Sequence, residues 1–262
     1  MNLEASVPAA LRRLNQATLA WLHSWWRLLL FAVLMLSLAV TPASYGHANR
    51  DKLARHIVRD TAPNLAWFAV LSALVSVVLI RIVFVTSQSY GLSRFALEMV
   101  VRVLVLELVP LCAAAFVALR TTLPAGLEFA QGRVAGGMVT EAELHLEFFP
   151  RVVAGVFAVW MLAAVSCVLT LILAYLSLYG FTPWALQGYT RVVGQVFNPA
   201  VALILVLKIV FFSFAVGLIP MASSFYFGAS YRSKVTHGLH DMVRLFAVIL
   251  LIEVASLMGN YY

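Results

Sequence analysis

Residues 103–120 read VLVLELVPLCAAAFVALR, an apolar run that ends on Arg120 and carries Glu107 and Pro110 inside it. The run is long enough to lie in a bilayer, yet a carboxylate at mid-helix costs roughly 2.5–3.5 kcal/mol on insertion scales. Something must offset that cost. Composition settles the phase around it: 63% of the 262 residues are hydrophobic, 11% are charged and the mean hydropathy is +0.95. Soluble domains run near roughly 25% charged, so the chain is an integral membrane protein built from helices.

Working outward from that run, about 20 apolar residues are needed per crossing. Five stretches qualify: about 62–85, 96–119, 152–178, 200–228 and 243–260. The first two are joined by SQSYGLSR and are expected to be antiparallel neighbours, and LYGFTPW ends the third. A shorter run, LLLFAVLMLSLAV at 28–40, has basic residues on both sides, which favours a re-entrant segment over a cleaved signal peptide. Before it, residues 3–30 space leucines, alanines and tryptophans as an interfacial amphipathic helix does. The expected architecture is therefore all-α integral membrane: residues 1–60 as an interfacial and re-entrant segment, then 61–262 as a five-helix domain.

Lysines and arginines orient this scheme. Thirteen fall in the N-terminal region and in the 120–151 and 229–244 connections, against Arg94 and Arg191 alone on the other side. Positive residues mark the cytoplasmic side, so the N-terminus is expected inside and the C-terminal GNYY outside. The net charge of +7 follows from this distribution. The arginines are not clustered with interleaved aromatics, so nucleic acid is not expected as a partner.

Candidate chemistry is sparse. Cys112 and Cys167 sit in apolar runs and read as packing residues. His237, His240 and Asp241 in HGLHD have helical spacing for metal ligands, but Arg232, Lys234 and Arg244 surround them, so no metal is expected. In TEAELHLEFF, Thr140 stands three residues before Glu143, the spacing of a capping box, and Glu141 and Glu147 make the segment acidic. It reads as a short acidic helix on the cytoplasmic face. Glu107 has two readings: it faces a watery cavity, or it pairs with Arg102, Lys208 or Glu253 to lock helices, with Lys208 the best partner to test.

The order of these pieces resembles the MlaE-type permease family, the membrane subunits of ABC transporters that work with MCE proteins on lipids. The resemblance rests on ELVP (Glu107, Leu108, Pro110), Arg120, Thr140 with Glu141 and Glu147, PRVVAG (Pro150, Arg151, Ala154, Gly155) and Lys208, over about residues 50–262. Val109 and Leu119 stand where the family has glycine, and the 120–151 connection is short, as in a divergent branch.

The resemblance implies a homodimeric permease of the bacterial inner membrane that moves phospholipid to or from a periplasmic MCE-domain partner. The chain has no G-x-x-x-x-G-K-[ST] sequence, so ATP and Mg would be held by a separate ABC-type ATPase and no cofactor by this chain. Thr140, Glu141, Glu143 and Glu147 match the family's coupling helix to that ATPase. Glu107 with Leu74, Val77, Val78, Phe84, Val103 and Leu111 are candidates to line a lipid cavity, and Lys208 and Glu253 are further intramembrane charges. Two other classes remain on the residues alone: a membrane-embedded enzyme using Glu107, Glu141 or His237 and His240, and an ion-coupled carrier using Glu107, Lys208 and Glu253.

Overall fold

The structure, a computed structural model, describes residues 3–92, 95–132, 140, 143–226 and 234–261. Every regular element among them is helical, as an apolar phase requires, because a helix satisfies its own backbone where no water can. In chain order they are α1 (Leu3–Val40), α2 (His47–Ser89), α3 (residues 96–132), α4 (residues 143–179), α5 (Leu186–Val196), α6 (Pro199–Tyr226) and α7 (Lys234–Tyr261). The chain is thus an all-α membrane protein. Among the described residues, six helices are long and apolar enough to cross a bilayer: the five expected, and Leu22–Val40 at the end of α1.

That sixth contains the 28–40 run read as re-entrant. The stretches read as the interfacial helix and the re-entrant run are continuous in α1, and residue 60 lies within α2. The apolar window extends that run back to Leu22. Its Phe31, Met35 and Leu38 are buried against Phe148, Phe149, Leu218 and Met221. The opposite face exposes Leu22, Trp26, Leu29, Val33 and Leu36, so this part is apolar on both sides, the pattern of a helix held in hydrocarbon rather than on a surface. Arg244 fastens it: Nη2 donates to the Ser24 carbonyl at 2.9 Å and the guanidinium stacks 4.4 Å from the Trp25 ring.

α4 runs through the centre of the bundle. Ala158, Val159, Leu162 and Ala163 on α4 meet Ala113, Ala114 and Val117 on α3, Phe212 and Val216 on α6, and Leu245 and Ile249 on α7. Alanines and glycines let the backbones approach closely, which is how helices gain contact where lipid removes the hydrophobic drive between them. A Cβ on Gly217 would meet the Val152 carbonyl oxygen at 3.1 Å, and one on Gly155 would meet Thr122 Cγ2 at 3.0 Å and Gly217 Cα at 3.5 Å. Gly155, the last residue of PRVVAG, is therefore fixed by packing.

Among the described residues, three stretches widen into π-helix: Val100–Leu108, Ala118–Thr122 and Leu144–Phe148. The first and third lie just before Pro110 and Pro150. A proline cannot donate to the carbonyl four residues back and its ring crowds it, and widening the preceding turn relieves that clash. Between α4 and α6, α5 lies beside a cluster of Tyr175, Tyr179 and Tyr189. Tyr189 Oη donates to the Leu171 carbonyl at 2.7 Å, and burial, with Tyr179 beside it, pushes its phenol up to about 12. The turn before α5 leaves Phe181 and Trp184 92% and 93% exposed, as aromatics anchored at a membrane interface would be.

Candidate functional site

Glu107 is not alone in the apolar phase. It sits in the first π stretch of α3, and the Lys208 ammonium on α6 forms a direct ion pair with its Oε2. The same Nζ lies 2.8 Å from Glu253 Oε2 on α7. Asn260 Nδ2, further along α7, donates to Glu107 Oε1 at 3.0 Å. Lys208, Glu107 and Glu253 are 2%, 8% and 9% exposed, so each charge depends on the others for what water would otherwise supply.

Pro110 explains why a lysine is needed at that level. It has no N–H to offer the Leu106 carbonyl in the α register, or the Val105 carbonyl in the π register. Both carbonyls accept from other helices: Leu106 from Lys208 Nζ at 3.2 Å and Val105 from Cys167 Sγ on α4 at 3.6 Å. The break that proline makes in α3 is thus filled from α4 and α6, and the polar node joins α3, α4, α6 and α7.

Of the two readings of Glu107, its side chain makes the pairing with Lys208, a lysine that Glu253 shares. Arg102, the other basic candidate, pairs with Glu98 at 3.0 Å instead. Cys167, read as packing, supplies a hydrogen bond, and Asn260 was missed. Its only signal was its place about two helical turns beyond Glu253, near the chain end.

The candidate cavity residues do not converge within the single chain. Leu74, Val77 and Val78 on α2 and Val103 on α3 face outward, Phe84 is half-buried, and Leu111 packs on the central cluster. Among the acidic candidates, Thr140 and Glu143 make the reciprocal bonds of a capping box: the Thr140 amide donates to Glu143 Oε2 at 3.1 Å and the Glu143 amide to Thr140 Oγ1 at 3.4 Å. Glu143 and Glu147 do not form a separate short helix, however. They are the first turns of α4, which continues to Tyr179 through the π turn that accommodates Pro150. Glu141 lies outside the described residues, as does the His237 side chain; His240 is exposed.

Thr140→Ala is expected to fray the start of α4 by about 1 kcal/mol. Amide hydrogen exchange at residues 143–147 reads this directly, and unchanged protection there would remove the capping role.

Compared with known families, residues 53–258 match the model described as Permease MlaE, a span running from α2 to α7 that includes Glu107, Lys208 and Glu253. No curated protein shows a significant match to the chain.

Proposed function

Since the chain belongs to the MlaE permease family, and so is a membrane permease subunit of a lipid ABC transporter, we propose that it works as a homodimer in the bacterial inner membrane, passing phospholipid between that membrane and a periplasmic MCE-domain protein. The observation that carries this is the family match, which takes in every element from α2 to α7. ATP and Mg belong to a separate ABC-type ATPase in this reading, supported by the lack of a P-loop sequence. The lysine and arginine distribution supports a cytoplasmic N-terminus and a periplasmic C-terminus. The outward apolar faces at Leu74, Val77, Val78 and Val103 supply surface for a second copy and for acyl chains between the two.

The polar node gives the mechanism its mechanical basis. Helices α3, α4, α6 and α7 share bonds to one proline-broken segment, so they are held to tilt together rather than to slide past one another. The capped start of α4, which carries Glu143 and Glu147, is where the ATPase would push. A force applied there reaches the bundle centre along one continuous helix, a rigid-body transmission.

Extraction in mild detergent followed by mass spectrometry is expected to recover a P-loop ATPase and an MCE-domain protein with the chain. Glu141→Ala with Glu147→Ala is expected to leave that complex assembled while lipid movement per ATP falls by at least about tenfold, the scale of one lost charge-assisted contact. Recovery of the chain alone, or lipid-dependent chemistry from the isolated chain, would replace the transporter reading.

A further inference from the structure

A second polar site lies apart from the node. At one end of the bundle a cavity of about 200 Å³ is lined by His56, Arg59 and Asp60 from α2, Arg120 and Glu128 from α3, and Arg151 from α4, with Met221 of α6 also at its wall. Three guanidinium groups here face two carboxylates. Yet none of the three makes an ion pair among the described residues. Arg120 and Arg151 instead lie over the rings of Phe116 and Phe129, at 5.9 and 5.0 Å. Arg151 Nε is buried and has no hydrogen-bond partner among the described residues. A cluster of guanidinium groups without carboxylate partners is costly where water is scarce, and an occupant of the cavity carrying oxygens would offset that cost.

The level of the cavity in the fold narrows what that occupant is. On each of the three helices the lining arginines stand where polar sequence gives way to apolar: RHIVRD before the apolar run of α2, Arg120 after that of α3, Arg151 before that of α4. This is the depth at which lipid phosphates lie. Arginine forks match phosphate oxygens in pairs, and the cavity's cationic excess favours an anion.

We propose that Arg59, Arg120 and Arg151 form a phosphate-binding site that holds the phosphodiester headgroup of a membrane lipid at this end of the bundle. The site is built from this chain alone and is independent of the ATPase and MCE partners, so their failure to co-purify leaves it standing.

The test uses the full chain in detergent, saturated either with phosphatidylglycerol or with diacylglycerol of the same acyl chains, with retained lipids counted by native mass spectrometry. One phosphatidylglycerol is expected to be held that diacylglycerol does not replace. Arg120→Gln with Arg151→Gln should weaken its retention by roughly tenfold or more, the effect of losing charge-assisted bonds. Asp60→Asn with Glu128→Gln should strengthen it, and this second variant decides the matter if the first does not fold. Protection of the wild type against thermal unfolding by inorganic phosphate alone, lost in the arginine variant and with no preference between the two lipids, would keep the phosphate site but reassign its source to free phosphate. Equal retention of both lipids with no phosphate effect, or retention indifferent to both variants, would overturn the proposal.

Discussion

Lys208→Met is expected to lower the stability of the extracted protein by about 3–5 kcal/mol, the scale on which removing one partner strands buried charges. The substitution keeps the length of the side chain but leaves Glu107 and Glu253 as buried carboxylates without a cation, and deprives the Leu106 carbonyl of its donor. Thermal unfolding of the detergent-solubilised protein, followed by size-exclusion chromatography, measures the loss. Adding Glu107→Gln and Glu253→Gln to Lys208→Met should recover much of it, because amides in place of carboxylates remove the stranded charge. A single variant that melts within about 1 kcal/mol of the wild type would mean that the node is hydrated and that its charges do not depend on one another.

Gly217→Leu should be the other severe change, at or above about 3 kcal/mol, the upper end of what overpacking costs. The obstacle is the Val152 backbone carbonyl oxygen, 3.1 Å from where the new Cβ must go, with Val156 Cγ2 equally close. Backbone cannot swing aside as a side chain tip can, so α4 and α6 must part, and Gly155 beside them loses its close approach to Gly217. Alanine at 217 should fall between wild type and leucine. Gly188 on α5 is the control, since a Cβ there meets nothing within 4 Å, and its leucine variant should melt close to wild type. Equal effects at 188 and 217 would show that α4 and α6 can separate at their crossing without loss.

Much of this was legible from residue order. Apolar length and charge placement gave the helical membrane class and the five longer spans, and Glu107 with Lys208 could be paired because a carboxylate in such a run needs a cation and Arg102 sits off its face. The continuity of α1 was hidden because its apolar stretch reaches crossing length only when Leu22 to Arg27 are counted, and their arginine and tryptophans look interfacial. The roles of Cys167 and Asn260 were hidden for a different reason. Each answers an acceptor on α3, a segment distant in sequence, and the Val105 acceptor is vacant only because Pro110 ends the hydrogen-bond ladder there. The arginine cavity gathers its three arginines from three helices, so no local spacing announces it.

The widened turns of α3 have a bearing on how relatives of this chain should be compared. A π turn holds one residue more than the α turn it interrupts, so the stretches Val100–Leu108 and Ala118–Thr122 each absorb extra length without displacing the helix beyond them. A relative lacking that extra residue could keep Leu123 and the rest of α3 on the same neighbours while its own Glu107 equivalent turned to another face. Matching such sequences letter by letter would place a gap where the backbone has only a bulge, and would assign the wrong partner to the carboxylate. Counting residues from Pro110, where the ladder is broken in space as well as in sequence, keeps the two registers aligned.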